Sequence, residues 1–299
     1  MYNNVLVTGG SGFLGKRLKL IRPDWTYVSS RHYDLTNPQE CRQMYLDTNP
    51  DSVIHLAARV GGIKDNDSKQ AEYYFQNTMI NTNVVHEAYK IGVKRVLASL
   101  STCAFPDKLD SYPFNEGALL LGPPAPTNMS YGYTKRSLHI QCRSYRKQYG
   151  LNYSTFCPSN IYGPEDHFDT EASHFVPSLI SKLSNLSEDT LSLWGTGSPL
   201  RQQLYVDDLA KIIPILLEKH NTSLPLIVAP DENLSIKEMA EIAIKKMNKS
   251  VIIKYNGKLD GQYRKDGDNS KLKEMIGDFE FTTFAQGVEK TYKWYKENK

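Results

Sequence analysis

The stretch Val5-Leu6-Val7-Thr8-Gly9-Gly10-Ser11-Gly12-Phe13-Leu14-Gly15 decides the fold. Its apolar opening reads as a buried strand, and the spacing from Phe13 to Leu20 reads as the start of a helix. Between them two glycine patterns overlap, GxxGxxG through Gly9, Gly12 and Gly15, and GxGxxG through Gly10, Gly12 and Gly15. One glycine permits the tight turn, another lets backbone approach a pyrophosphate, and the last lets helix pack on strand. The helix N-terminus then offers N–H groups and a positive dipole end to phosphates. Following a strand and opening a helix, the motif points to a dinucleotide rather than to an ordinary glycine-rich turn.

Outward from this turn, β-branched runs alternate with helical patterns. Thr26–Val28, Ser52–Leu56 and Arg95–Ser99 read as strands; Pro38–Thr48 and Glu72–Tyr89 read as helices, the latter closed by Gly92. This βαβαβ rhythm predicts an α/β fold, a Rossmann-type doubly wound parallel sheet covered on both faces. The Pro-rich loop Gly122–Pro126 interrupts it. A helix capped by Ser130 is expected to run to Tyr149, followed by a buried strand at Tyr153–Phe156. Beyond Gly163-Pro164 the elements become shorter and mixed. Residues 1–163, with a return segment near 201–228, are expected to form the dinucleotide-binding domain. Residues 164–200 and 229–299 are expected to form a smaller α+β substrate-binding lobe.

Composition narrows the function classes. The 299 residues are 40% hydrophobic and 23% charged, with a net charge of +3, which favours neither nucleic acid nor an anionic membrane as partner. The four cysteines, at 41, 103, 142 and 157, form no CxxC pair and no metal-ligand spacing. They read as reduced thiols of a cytoplasmic protein without a metal. Met1–Asn4 leads directly into the first strand, which leaves no room for a signal peptide, and no apolar run is long enough to span a bilayer.

The second strand ends in Ser29-Ser30-Arg31, where an acidic residue would accept from the ribose 2′-hydroxyl of NAD. Arg31 suits a 2′-phosphate and so NADPH/NADP+, although a solvated surface charge is the alternative. Asp34 lies close by.

Tyr131 and Lys135, four apart on the expected helix, share one face about 6 Å apart along its axis. An ammonium beside a phenol favours the phenolate, bringing its pKa toward the working range of a proton donor–acceptor. YxxxK alone is a common helix-surface pattern, and Tyr133 is out of register with Lys135. Ser101, just after the fourth strand, stands where ligands gather at the carboxyl ends of a doubly wound sheet. Glycine turn, strand-end serine and YxxxK in this order resemble the short-chain dehydrogenases/reductases. The resemblance implies that Ser101 polarises a carbonyl, Tyr131 passes the proton, and Lys135 holds Tyr131 and the nicotinamide ribose. Chain length and the late small lobe resemble the extended branch, whose usual substrates are nucleotide sugars.

Further stretches resemble the GDP-L-fucose synthase family in particular: His55–Gly62, Leu100–Pro106, Pro158–Pro164, Ser173–Pro177, Trp194–Gly197 leading to Arg201, and Asp260–Lys265. That family inverts C3 and C5 of GDP-4-keto-6-deoxy-D-mannose and reduces its C4 ketone with NADPH. Both inverted carbons are α to the ketone, so each needs a base on one side and an acid on the other. By resemblance this pair is Cys103 and His174. In an extended segment residues 101 and 103 would point to the same side. From the residues alone, Cys103 reads as a small buried hydrophobe and His174 as a loop residue. The resemblance also implies Leu56, Ala57, Ala58, Ser99, Pro158, Ser159, Asn160, Ile161 and His174 beside the cofactor, with Asp34 by its adenine. Ser11 is small where some relatives carry a basic residue. For the substrate the resemblance implies Lys182, Trp194, Arg201, Asp260 and Lys265, with Arg201 and Lys265 on the diphosphate. It further implies a homodimer paired through the Tyr-bearing helix and the long helix before it. Two other readings stay open: an extended reductase or epimerase for a different nucleotide 4-keto sugar, and a non-catalytic NADP(H)-sensing protein.

Overall fold

The computed structural model describes residues 2–169, 173–257, 260 and 262–299, except the side chains at 63 and 64. Gly261, within the Asp260–Lys265 stretch, lies outside the described residues. The chain begins β1 (Val5–Thr8), α1 (Phe13–Ile21), β2 (Thr26–Val28), α2 (Pro38–Thr48) and β3 (Ser52–His55). Then come α3 (Ile63–Ser68), α4 (Gln70–Ile91), β4 (Arg95–Ser99), α5 (Met129–Tyr149) and β5 (Asn152–Pro158). The second half carries β6 (Asn160–Tyr162), α6 (Phe175–Ser184), β7 (Thr190–Leu193), β8 (Leu200–Tyr205), α7 (Val206–Lys219) and β9 (Leu226–Val228). It closes with β10 (Asn233–Ser235), α8 (Ile236–Lys246), β11 (Ile252–Tyr255), α9 (Ser270–Ile276) and α10 (Phe284–Asn298).

Six strands pair in parallel in the order β2-β1-β3-β4-β5-β9. The order reverses between β1 and β3, the doubly wound arrangement that the β-α rhythm predicts. Val53, Val96 and Tyr153 point to one face, where Val84, Val85 and Leu138 from α4 and α5 cover them. Ile54, Leu97 and Phe156 point to the other, under Leu14 and Leu18 of α1 and Leu209, Ile213 and Leu216 of α7. A third apolar cluster joins α6, α8 and α10 through Leu179, Met239 and Val288. Beside it lie two small sheets, β10-β8-β6 and β11-β7.

Side-chain caps set three of the helix starts. Asn37 accepts from the Gln39 N–H ahead of Pro38, and Ser235–Glu238 and Thr283–Gln286 form reciprocal capping boxes on α8 and α10. The expected Ser130 cap is corrected. The turn Pro126–Asn128 runs straight into α5, so Ser130 lies inside the first helical turn and donates to Gln70 Oε1 instead. Arg95, wholly buried, donates to the carbonyls of Leu216, Leu217 and His220, closing the end of α7.

Candidate active site

The glycine turn lies at the carboxyl end of β1. Gly9 has a φ of +74°, and a Cβ there would stand 2.9 Å from the Ala57 nitrogen, so only glycine lets the turn close against the end of β3. Gly12 caps α1 with no side chain on its first-turn amides, and that turn carries no acidic residue. This cradle fits a dinucleotide pyrophosphate. Gly10 donates to Val28 O across 2.7 Å, holding β2's end nearby. Ser11 and Arg31 are exposed, and Arg31 is paired with no carboxylate among the described residues. Asp34 is occupied in its own turn, accepting from Thr36 N and Oγ1. Leu56, Ala57 and Ala58 follow β3, and Ser159, buried after β5, leaves its Oγ without a partner among the described residues. Pro158 ends β5, and Asn160 and Ile161 open β6.

Tyr131 and Lys135 come off one face of α5, with the Lys135 Nζ 5.7 Å from the centre of the Tyr131 ring. Lys135 is buried and donates to Ser99 O across 2.8 Å. Burial lowers its ammonium to about 8. In the protein alone this ammonium does not bring the phenol below its ordinary value. Burial raises the Tyr131 hydroxyl above its ordinary value, with nearby Cys103 acting in the same direction and a hydrogen bond with Ser101 opposing. The Tyr131 side chain is therefore a neutral hydrogen-bond donor at neutral pH.

Beneath α5, a carbonyl–amide–imidazole chain missing from the sequence reading ties the helix to the sheet. Thr8 Oγ1 lies 2.8 Å from His55 Nδ1, His55 Nε2 lies 3.1 Å from Asn81 Oδ1, and Asn81 Nδ2 donates to Thr134 O. Burial, then Lys135, holds His55 down to about 3, so it is neutral. Its Nε2–H donates to Asn81, leaving Nδ1 to accept from Thr8.

Cys103 does not lie on an extended segment. Residues 102–104 form a single 3₁₀ turn because Ser101 Oγ accepts from the Cys103 N–H, and this turn keeps the two side chains neighbours. The Lys265 ammonium donates to Cys103 Sγ across 3.1 Å. Burial alone would raise the thiol, but Lys265, Ser101 and Arg201 outweigh it and leave the pKa below an ordinary thiol's. Cys41, Cys142 and Cys157 are buried, and burial raises all three. Gly132 and Arg136 bring this turn onto α5. A Cβ at Gly132 would lie 2.5 Å from Cys103 O, and Arg136 Nε donates to Ala104 O. His174 precedes α6 with much of its surface exposed; desolvation of its ring by the groups around it, then the Lys265 charge, holds its imidazolium below the ordinary value.

The remaining sequence-derived residues extend from this centre to the smaller lobe. Arg201, on β8, donates to Leu200 O and Tyr263 O. Burial lowers its guanidinium, with Cys103 and Asp260 raising it. Lys182 and the exposed Trp194 line an open cavity of about 550 Å³ with Asn185, Leu186, Glu188 and Asn256. Asp260 does not line it and accepts from Thr196 N and Oγ1 at 2.8 and 2.7 Å. Sequence reasoning missed Gln202, Gln262 and Arg136. Gln262 stands in the quoted Asp260–Lys265 stretch, the one available signal.

Among the described residues, no cluster of histidine, cysteine and carboxylate side chains could hold a metal ion, and no helix is long and apolar enough to cross a membrane. Residues 5–228 match the NAD dependent epimerase/dehydratase family. The chain is 37% identical to the GDP-L-fucose synthase of Dictyostelium discoideum, across 98% of this chain and 95% of that one. It is 35% identical to a probable GDP-L-fucose synthase of Drosophila melanogaster, across 98% and 97%. The crystal structure of a GDP-L-fucose synthetase from Naegleria fowleri bound to NADP superposes with a TM-score of 0.92 at 32% identity, covering 99% of this chain and 93% of that one. A glycine cradle, a Ser–Tyr–Lys set and a lysine-paired cysteine thus coincide with likeness along nearly the whole chain, which belongs to the GDP-L-fucose synthases of the NAD dependent epimerase/dehydratase family.

Proposed function

We propose that the chain converts GDP-4-keto-6-deoxy-D-mannose to GDP-L-fucose, inverting C3 and C5 and reducing the C4 ketone with NADPH. The observation that carries this reading is the Lys265–Cys103 pair, set beside Ser101 on the turn that packs against the Tyr131–Lys135 helix. An ordinary reductase site needs no such activated thiol; inversion beside a ketone needs a base.

The glycine cradle and Lys135 would hold NADPH, with Arg31 on its 2′-phosphate and residues 56–58 and 158–161 along its length. When bound, NADPH supplies the hydride to C4. Cys103 and His174 serve as the base and acid at C3 and C5. Ser101 and the neutral Tyr131 donate hydrogen bonds to the C4 oxygen, stabilising the enolate that forms when an α-proton leaves. In reduction the same Tyr131 hydroxyl gives its proton to that oxygen. Arg201 and Lys265 face the diphosphate, and Lys182 and Trp194 the nucleoside end. The staple from Asp260 to Thr196 supports a role in shaping that end. The lobe division at 1–163 with 201–228, against 164–200 with 229–299, belongs to the same proposal, and the separate apolar cluster of α6, α8 and α10 supports it. Exposed Tyr74, Phe75, Ile140 and Tyr149 on α4 and α5 support a homodimer paired through those helices, and the four free cysteines suit a cytoplasmic place.

The test is loss of NADPH absorbance when the purified protein meets GDP-4-keto-6-deoxy-D-mannose, with NADH in parallel and the product identified. Rapid NADPH oxidation giving GDP-L-fucose supports the reading. Turnover only with UDP- or dTDP-linked 4-keto sugars would replace it by a related reductase, and NADPH binding without turnover on any of them by a cofactor sensor.

A further inference from the structure

Lys265 reaches Cys103 from far along the chain, on a short segment that contains no helix or regular strand. Residues 262–268 form a strap across three parts of the site. On its downstream side the backbone of Phe114 exchanges hydrogen bonds with the strap, Phe114 N to Asp266 O and Asp268 N to Phe114 O. Gln202 adds a side-chain clamp, accepting from Gly267 N at 2.9 Å and donating to Gly267 O at 3.2 Å. Leu200 N donates to Tyr263 O, fixing the strap to β8. Upstream of Lys265, the Gln262 amide donates to two successive carbonyls, Pro106 O at 3.2 Å and Asp107 O at 2.9 Å. Those carbonyls follow the turn that bears Cys103, so Gln262 ties the lysine's segment to the cysteine's own loop.

We propose that Gln262 is a positioning residue for the Cys103 step, pinning the strap to the Pro106–Asp107 carbonyls so that the Lys265 ammonium stays on the sulfur. The inference rests on Cys103 being the acid/base group of the inversion. Its physical content is that an ammonium on a flexible four-carbon stem stabilises a thiolate only while its backbone is held within reach. The charged groups facing the sulfur are Lys265 and Arg201; Ser101, Tyr131 and the Cys157 thiol face it as uncharged groups. His174 and Asp260 face those cations in turn. Arg201 sits on β8 and touches the strap only through a long 3.4 Å contact with Tyr263 O, so loosening the strap acts chiefly on Lys265.

The pH dependence of Cys103 alkylation by iodoacetamide in the full, substrate-free chain tests this directly, read on the Cys103 peptide by mass spectrometry with Cys103→Ser as the blank. The three other cysteines are at most 1% exposed and add little background. Gln262→Met keeps length and volume but removes both donors. The expected result is a midpoint raised by about one pH unit, with alkylation at neutral pH slowed about tenfold and the high-pH plateau unchanged. Lys265→Met should raise the midpoint in the same direction by at least as much. A Gln262→Met midpoint equal to that of the parent protein overturns the proposal, as does a Lys265→Met midpoint that does not move. If Gln262→Met fails to fold, judged by circular dichroism, Gln262→Ser takes its place under the same criteria. Alkylation needs no sugar, so failure to turn over the GDP-linked substrate would sink the proposed function without touching this result.

Discussion

Arg136 Nε donates to the Ala104 carbonyl across 2.5 Å, joining the helix of the Tyr131–Lys135 pair to the turn that carries Cys103. Two chemistries on one sugar need both sets of side chains at fixed distances from the same ketone. Arg136→Met should therefore lower kcat for overall turnover by about 100-fold, the cost typical of an ångström-scale misplacement, with KM for NADPH little changed. Steady-state kinetics at saturating cofactor check this, and Arg136→Lys should recover part of the loss. A kcat equal to that of the parent protein would show that the carbonyl contact does not matter.

The two half-reactions should separate by mutation. Tyr131→Phe should abolish hydride transfer yet leave exchange of the C3 and C5 protons into deuterated water measurable by NMR. Cys103→Ser should slow that exchange and overall turnover, because an alcohol beside Lys265 ionises far less readily than a thiol. Normal reduction by Tyr131→Phe would remove the proposed role of the phenol.

Selectivity between cofactors should rest on Arg31, exposed and without an ion-pair partner among the described residues. Ser11 offers no second charge at the glycine turn. Arg31→Ala should raise KM for NADPH by about 10- to 100-fold, the worth of one charge-assisted contact, and leave KM for NADH nearly unchanged. Equal changes for both cofactors would instead point to a loss of local structure.

Three buried histidines make stability depend on pH in one direction. Burial holds His55 down to about 3 and His139 and His220 down to about 4, against 6.5 in an unfolded chain. Their folded values are depressed, so the unfolded state takes up protons first as the pH falls. Stability is full above about pH 6.5 and declines toward pH 4, by up to about 1.4 kcal/mol per histidine for each pH unit. Urea unfolding between pH 7 and 5 measures the net slope, in which buried Asp166, raised to about 7, opposes the histidines; His139→Gln should remove up to about 1.4 kcal/mol per pH unit from it. An unchanged slope in that variant would mean that His139 is not buried neutral.

The first half of the chain was legible because its signals are local. Val5–Gly15 encodes strand, turn and helix within one stretch, and the continuous apolar strands can only be buried on both faces. Tyr131 and Lys135 are legible for the same reason, being one helical turn apart. Ser130 misled because Pro126–Asn128 supplies an earlier helix start than the capping preference of serine suggests. Cys103 and Lys265 are separated by 162 residues, and no periodicity relates them. Gln262, Gln202 and Asn81 are polar residues whose value lies in the distant groups they meet, which only the folded chain brings near. Tyr131 illustrates a different limit. Residue types correctly suggest an ammonium beside a phenol, but burial raises the phenol in the protein alone, and burial depends on packing by the whole domain.

The strap around Lys265 also sets a rule for which insertions the protein can accept. Surface loops ordinarily gain or lose residues at small cost. Between Gln262 and Asp266, anchored at both ends, a single inserted residue would have to be absorbed over about 3.4 Å of extra extended chain. That length exceeds the 3.1 Å separating the ammonium from the sulfur, so one added codon here would undo what an entire extra loop elsewhere on the surface could leave intact.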